Sequence, residues 1–181
     1  MIKSSYKNNI DYKEIFSTIC FLNKPKKIVE IGILDGYSLK SMVDNVSSDT
    51  QIEAYDIFEE FNGNGANKDK LNNIFESYKN VNIQYGDFYN LANTFDSNNI
   101  DILHIDIANN GEVYEYVLNN YIDKIKKNGI IILEGGSVER DEIEWMNKYN
   151  KPKIKPVLDK FKNKYNILTI GNIPSITIIT L

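Results

Sequence analysis

Ionisable side chains with catalytic potential lie at the ends of two apolar strands in the second half of the chain. His104 and Asp106 stand two residues apart in the apolar stretch 100–107, so their side chains are expected on one face of a strand. The next apolar strand runs directly into Glu134, and Arg140 follows six residues later. A carboxylate can accept a proton, and the planar guanidinium of arginine binds anionic groups through two hydrogen bonds. These four residues are therefore candidate catalytic residues.

Each of them also has a structural interpretation. His104 lies inside an apolar strand, where a histidine is more often a hydrogen-bonded core residue than a catalyst. Arg140 is the only arginine in the chain. It could bind an anionic group, or it could form an ordinary ion pair with one of three acidic neighbours, Glu139, Asp141 and Glu144. The only tryptophan, Trp145, could form a pocket wall or pack in the core.

A second set of candidate residues surrounds a glycine-containing turn after the first predicted strand. Gly32 would let the chain leave the strand sharply, and Gly36 would let the backbone approach a ligand. Glu30 and Ser38 flank the two glycines and complete the set. Leu34 occupies the position of the middle glycine in the dinucleotide-binding fingerprint, so a pyrophosphate cradle is not predicted.

Two further strand ends carry carboxylates. Asp56 ends the second predicted strand about 20 residues past the glycine turn, where a carboxylate can accept two hydrogen bonds from a ribose diol. Gly86 and Asp87 follow the third strand, and Asp87 could bind an adenine amino group. The structural alternatives are a solvated aspartate at position 56 and a helix cap at position 87.

Apolar periodicity predicts the elements that hold these residues. A first helix is predicted after Asp11, which would be its N-cap. Apolar residues at helical spacing predict further helices over 39–46, 68–79 and 112–127, and Gly129 is expected to end the last of them. Strands are predicted at 28–31, 52–57, 81–85, 100–107 and 130–133, and then as a hairpin formed by 166–170 and 175–180.

This order of elements predicts one α/β domain over residues 1–181. Its core is expected to be a doubly wound, Rossmann-like seven-stranded sheet, mostly parallel, with an antiparallel C-terminal hairpin strand. Residues 1–24 form an N-terminal helical segment in this prediction. Residues 137–164, which have a polar and partly helical pattern, form a segment on the substrate side.

The motifs together resemble those of class I S-adenosylmethionine-dependent methyltransferases, and most closely the small branch related to catechol O-methyltransferases. The resemblance rests on Glu30-x-Gly32-x-x-x-Gly36-Tyr37-Ser38, Asp56, Gly86-Asp87 and the stretch from Asp101 to Asp106, in that order. It implies that Gly32 and Gly36 line the methionine part of S-adenosylmethionine, that Asp56 binds its ribose and that Asp87 lies near its adenine. Asp106 would face both the cofactor and the methyl acceptor.

The resemblance leaves the use of a metal open. In the metal-dependent O-methyltransferases of this branch, an acidic residue at the Asp106 position and an Asp-Asn pair after the fifth strand bind a divalent cation such as Mg²⁺. Glu134 could substitute for one ligand, but Gly135 stands where the next would be. A metal-free site would use Asp106 or Glu134 as the base and Arg140 to bind an anionic group of the acceptor.

Composition narrows the function further. The 181 residues are 42% hydrophobic and 25% charged with a net charge of −4, which is typical of a globular protein and unlike a nucleic-acid-binding one. No apolar run is long enough to cross a membrane, and the N-terminus does not look like a secretory signal, so a cytoplasmic location is expected. One cysteine excludes an internal disulfide framework.

The predicted function is methyl transfer from S-adenosylmethionine to a small-molecule acceptor, with O-methylation favoured. Nucleic acid and membranes are not expected as partners, and a homodimer is compatible with the sequence. A nicotinamide-dependent oxidoreductase fits the architecture but not the glycine turn or the terminal hairpin. The remaining alternative is a catalytically degenerate methyltransferase-fold subunit that binds the cofactor or a protein partner without turnover.

Overall fold

The computed structural model describes residues 4–6, 11–61 and 63–181, and its centre is one seven-stranded sheet. The strands are β1 (Lys27–Ile31), β2 (Gln51–Asp56), β3 (Val81–Tyr85), β4 (Ile100–Ile105), β5 (Ile125–Glu134), β6 (Asn166–Gly171) and β7 (Ser175–Thr180). They lie in the order β3-β2-β1-β4-β5-β7-β6. The strands from β3 to β5 pair in parallel, and β7 pairs antiparallel with both β5 and β6. The predicted fold class is confirmed.

Helices cover both faces of this sheet. They are α1 (Lys13–Asn23), α2 (Tyr37–Val43), α3 (Lys68–Phe75), α4 (Phe88–Leu91), α5 (Gly111–Asn120), α6 (Val138–Asp141), α7 (Glu144–Lys148) and α8 (Ile154–Phe161). One core cluster contains apolar residues of α1, α2 and α3, and the other contains those of α5 and α8. Because β1 and β4 are covered on both faces, both read as nearly continuous apolar runs.

The strand order reverses between β1 and β4. From β1 the chain proceeds outward through β2 to β3, and from β4 it proceeds in the opposite direction to β5. In open sheets of this kind, ligands bind beyond the carboxyl ends of the strands at this reversal. Glu30 on β1 is the register partner of His104 on β4, so the topology places these two candidate residues side by side.

Among the predicted element boundaries, the start of the first helix and the end of the helix predicted over 112–127 are wrong. Helix α1 begins at Lys13 after Tyr12, and the Asp11 carboxylate instead accepts hydrogen bonds from the Lys13 N–H and the Tyr37 hydroxyl. Helix α5 ends at Asn120, well before the predicted end at Gly129.

Gly129 lies inside β5, which begins at Ile125 and bulges before it rejoins β4. Ile125 pairs with Ile100 and Ile130 pairs with Ile102, so the intervening residues loop out of the ladder. The left-handed conformation predicted for Gly129 belongs to Asn128, with φ of 69°. A Cβ at position 129 would lie 2.5 Å from the Ile125 side chain, which explains the glycine by close packing in the bulge.

No helix in the described ranges is long and apolar enough to cross a bilayer.

Candidate functional site

The turn after β1 lies directly against the end of β4. The Asp106 N–H donates to the Ile31 carbonyl at 3.0 Å, which continues the ladder to the edge of the sheet. Gly32 has φ of +91°, and a Cβ there would lie 2.0 Å from the Asp106 carbonyl oxygen. Only glycine permits this approach. The two sets of candidate residues therefore form one site.

A buried hydrogen-bonded chain crosses this site from α2 to the N-terminal residues. The Ser38 hydroxyl donates to Glu30 Oε1, and His104 Nδ1 lies 2.9 Å from the same oxygen. His104 Nε2 lies 2.8 Å from the Tyr6 hydroxyl. Since a carboxylate only accepts hydrogen bonds, Nδ1 carries the proton, and in the neutral ring Nε2 accepts from Tyr6.

His104 is fully buried, and both of its ring nitrogens have partners. Of its two interpretations, this geometry supports a core histidine that orients Glu30. The second oxygen of Glu30, Oε2, is also buried and has no hydrogen-bond partner in the described part of the chain. An unsatisfied buried carboxylate oxygen is costly to a folded protein, so Oε2 is a position where a ligand donor would be bound.

Asp56 connects the glycine turn to the loop after β2. Its Oδ2 accepts from the Ile33 N–H at 2.8 Å, and its Oδ1 accepts from the Phe58 N–H at 2.9 Å and the Asn64 side-chain amide at 2.7 Å. The Leu34 N–H makes a longer contact of 3.4 Å to Oδ2. A ribose diol would therefore have to displace a protein donor, and Asn64 is the only side chain among the four.

Asp87 caps helix α4, since its Oδ1 accepts from the Tyr89 and Asn90 N–H groups at 3.0 and 3.2 Å. The helix-cap interpretation is therefore correct, and an additional contact to adenine stays a prediction. Gly86 is buried beneath Tyr55, whose ring a Cβ at position 86 would meet at 2.7 Å. Close packing under Tyr55 accounts for Gly86, and helix capping accounts for Asp87.

Asp106 lies at the end of β4 beside the buried chain. The Ser5 hydroxyl donates to its Oδ2 at 2.5 Å. Burial raises the pKa of Asp106 to about 7, and the nearby Glu134 carboxylate acts in the same direction. A carboxyl group with this pKa can gain or lose a proton near neutral pH, which suits a general base.

Glu134 and Arg140 form a buried, two-pronged ion pair. Arg140 donates from Nε to Glu134 Oε1 at 2.7 Å and from Nη2 to Oε2 at 2.9 Å. Burial raises the pKa of Glu134, while the guanidinium opposes that rise. The ion-pair interpretation of Arg140 is correct in kind, but its partner is Glu134, outside the three neighbours considered from the sequence.

Trp145 lies on α7, where its ring is 6.4 Å from that of Tyr149 between centroids, and Lys151 Nζ lies 5.9 Å above it. It is half-buried in a small aromatic and cationic surface cluster. Neither contact involves the carboxylates of the site.

Four residues of the site escaped the sequence analysis. Ser5 and Tyr6 come from a polar N-terminal stretch, which carries no pattern that predicts their position. The fully buried Asn109 donates to the Ile105 and Glu134 carbonyls at 3.0 and 2.9 Å and so ties β4 to β5. The Tyr114 hydroxyl donates to the Glu134 carbonyl at 3.0 Å. The position of Asn109, a few residues after an apolar strand, is the one sequence signal that could have been recognised.

The residues at this edge do not fit a divalent metal ion. Both carboxylate oxygens of Glu134 are bound to Arg140, and Gly135 has no side chain to offer. In the ranges the structure describes, no three acidic, histidine or cysteine side chains are placed to hold a metal ion together. Hard cations require several oxygen ligands, which this arrangement does not supply.

Comparison with known proteins identifies the family of this chain. The chain belongs to a methyltransferase family, because the family model described as "Methyltransferase domain" matches residues 29–134, more than half of its length. The predicted methyltransferase class is thereby confirmed, and the oxidoreductase alternative is set aside. A search of curated proteins finds no match.

Solved structures share the fold at low sequence identity. The O-methyltransferase TomG from Streptomyces achromogenes, solved with S-adenosylmethionine, is 12% identical with a TM-score of 0.71, covering 97% of this chain and 82% of its own. The O-methyltransferase from Bacillus cereus, solved with S-adenosylhomocysteine, is 17% identical with a TM-score of 0.69, covering 98% of this chain and 84% of its own. These likenesses confirm the seven-stranded architecture.

Proposed function

We propose that this protein transfers a methyl group from S-adenosylmethionine to a hydroxyl group of a small molecule. The observation that carries the proposal is the unpartnered Oε2 of Glu30, which is buried at the strand reversal beside the Gly32 turn. An ammonium group on the methionine part of the cofactor would supply the hydrogen bonds that this oxygen lacks. The cofactors bound to the two structural neighbours support the same choice.

The residues fit the rest of the cofactor to different degrees. Gly32 and Gly36 both have a positive φ in the turn beside Glu30 and are proposed to line the methionine part of the cofactor. A Cβ at position 36 would meet the Phe75 ring at 2.8 Å, so close packing also accounts for that glycine. Asp56 is proposed to bind the ribose after the Asn64 amide is displaced from Oδ1, because two hydroxyl donors can replace that bond. Asp87 keeps its capping role and is proposed to lie at the adenine end.

Asp106 is proposed to accept the proton of the acceptor. When bound, S-adenosylmethionine supplies an electrophilic methyl group on a positively charged sulfur. Asp106 Oδ2 already accepts a hydrogen bond from the Ser5 hydroxyl, which supports the proposal that an acceptor hydroxyl binds at the same oxygen. Bound S-adenosylmethionine would give up its methyl carbon to the acceptor oxygen and leave as S-adenosylhomocysteine, and Asp106 would accept the hydroxyl proton, so that charge and atoms balance.

A small acceptor is favoured because the site is closely lined. The Tyr6 ring is fully buried between Phe16 and His104, with ring centroids 5.1 and 5.6 Å away, and Ser5 covers Asp106. A polymer would have to displace these N-terminal residues over a wide area, whereas a small molecule needs only the space of the Ser5 side chain and its neighbours.

Calorimetric titration with S-adenosylhomocysteine tests the cofactor assignment. We expect saturable binding to the wild-type chain and none with NAD. Glu30→Gln is expected to weaken binding by roughly tenfold or more, since a hydrogen bond to a charged group contributes about 1.5–3 kcal/mol. Glu76→Gln, an exposed change at the end of α3, is the matched control and should leave affinity unchanged.

Absence of saturable binding to a folded wild-type chain would refute the proposal and favour the form of the degenerate-subunit alternative that binds a protein partner instead of the cofactor. Equal affinity of the Glu30→Gln variant would refute the role of Oε2 alone. Thermal unfolding of each variant establishes that a loss of binding is not a loss of fold.

A further inference from the structure

The guanidinium of Arg140 links the segments that follow β4 and β5. It holds both oxygens of Glu134, the last residue of β5, and its Nη2 lies 3.4 Å from the carbonyl of Asn109 after β4. Arg140 is 8% exposed. A positive charge is therefore built into the sheet edge where the acceptor is proposed to bind.

The position of Arg140 depends on the glycine that follows β5. Gly135 has φ of +99°, and a Cβ there would lie 2.9 Å from Ile154 Cδ1 and 3.4 Å from Arg140 Cγ. An asparagine at position 135, of the kind the resembled metal-dependent enzymes carry, would be strained by the positive φ, and its Cβ would press on Ile154, whereas its contact with Arg140 would be an ordinary van der Waals one. The backbone turn at Gly135 therefore disfavours a metal-binding side chain there and leaves the guanidinium beside Glu134.

The charges around Arg140 are those that would otherwise attract a metal ion. Burial opposes the charge of Arg140, but the hydrogen bonds and charge of Glu134 outweigh it and raise the pKa of the guanidinium, with a further contribution from Asp106. Arg140 Nη1 is buried and has no hydrogen-bond partner in the described ranges. One donor of the group therefore remains available to an oxygen atom.

We infer that Arg140 is the resident cation of the acceptor site and takes the place of a divalent metal ion. Nη1 is the donor left for the acceptor oxygen, while Nε and Nη2 are held by Glu134. The inference rests on the proposed function, since it assigns a role toward the methyl acceptor. It makes transfer independent of added metal.

The single arginine gives a direct measurement. Protein labelled with ¹⁵N-arginine has one Nε–H signal in its NMR spectrum, and that signal belongs to Arg140. Titration with Mn²⁺, whose unpaired electrons broaden nearby signals, reports whether a metal ion binds beside the guanidinium, and Mg²⁺ is the diamagnetic control. We expect no saturable broadening in the wild-type chain. Glu134→Gln should shift the Nε–H signal, because it removes the charge that this group faces.

Arg140→Ala tests the same inference from the other side. With the guanidinium gone, the Glu134 and Asp106 carboxylates lose their compensating charge and should bind Mn²⁺, seen as a saturable loss of the free-ion signal in electron paramagnetic resonance. Saturable broadening of the wild-type Nε–H signal that disappears in Glu134→Gln would overturn the inference. A folded Arg140→Ala variant with no gain in Mn²⁺ binding would also overturn it.

The wild-type titration decides the question even where Arg140→Ala does not fold. S-adenosylhomocysteine is added to the same labelled sample at the end of the titration. Cofactor binding together with Mn²⁺ broadening refutes only the role of Arg140, whereas absence of cofactor binding refutes the proposed function itself.

Discussion

Replacement of Asp106 by asparagine should make the protein more stable at alkaline pH. Asp106 is half-buried, and desolvation of its carboxyl group together with the nearby Glu134 carboxylate raises its pKa to about 7 from the 3.8 of an ordinary aspartate. An asparagine keeps an oxygen that can accept the Ser5 hydrogen bond and carries no charge. The variant therefore removes the cost of a buried negative charge and keeps the local contact.

The sign and size of the effect follow from proton linkage. Because the pKa is higher in the folded state, the folded protein binds more protons than the unfolded chain between about pH 4 and 7, so its stability falls as pH rises through that window. At 1.36 kcal/mol per pKa unit, the full cost of the Asp106 charge is about 4 kcal/mol above pH 8 and about 1 kcal/mol at pH 4.5. The stability gain of Asp106→Asn should therefore grow from about 1 kcal/mol at pH 4.5 to about 4 kcal/mol above pH 8.

Urea unfolding at pH 4.5 and 8.5 measures this difference directly. Asp159→Asn is the control, because Asp159 is exposed and its hydrogen bond to Lys155 lowers its pKa, so this variant should gain no stability at either pH. A stability gain of Asp106→Asn that is equal at the two pH values, or a loss at pH 8.5, would refute the assignment of a raised pKa to Asp106.

Two further predictions concern the cofactor side. Asn64→Ala should leave affinity for S-adenosylhomocysteine unchanged or slightly improved, since it removes the amide that occupies Asp56 Oδ1, whereas Asp56→Asn should weaken binding by roughly 1–3 kcal/mol. Weaker binding by Asn64→Ala in calorimetry would contradict the displacement of this amide by ribose. Gly32→Ala should destabilise the fold by several times the ~1 kcal/mol cost of a positive φ, because its Cβ would lie 2.0 Å from the Asp106 carbonyl oxygen. Gly63→Ala, with φ of +98° and open space around the added atom, isolates the backbone cost; equal melting temperatures for the two variants would contradict the close approach.

Much of the fold could be predicted from periodicity. Strand β3 has its predicted bounds, and the other strands up to β4 differ by one or two residues, because buried parallel strands are marked by apolar runs with polar ends. The start of β5 was missed since the bulge between Ile125 and Ile130 interrupts the apolar run with polar residues. A pairing of distant segments decided that boundary, and local sequence does not record it.

The site was predictable at the strand ends and unpredictable where distant segments meet. Glu30, His104 and Asp106 were recognisable since the topology brings their strands together at the reversal. The partner of Arg140 could not be predicted from the sequence. The two glycines after β5 turn the chain back, so the guanidinium binds Glu134 and not a neighbour on its own helix. Ser5 and Tyr6 are about 100 residues away from Asp106 and His104 in the sequence. Their place in the site is evident only from the hydrogen bonds that they form with these two residues.

The balance of charge at the sheet edge connects its stability to its proposed function. Three acidic side chains, those of Glu30, Asp106 and Glu134, lie near one another, and Arg140 offsets only one of them. The site therefore has an excess of negative charge. Buried charges destabilise a fold unless they are paired, so a cationic ligand that neutralised this charge would be bound favourably. S-adenosylmethionine carries a positive sulfur that S-adenosylhomocysteine lacks, so this edge is expected to favour the methylated form. Loss of that charge on methyl transfer would then weaken retention of the product and assist its release.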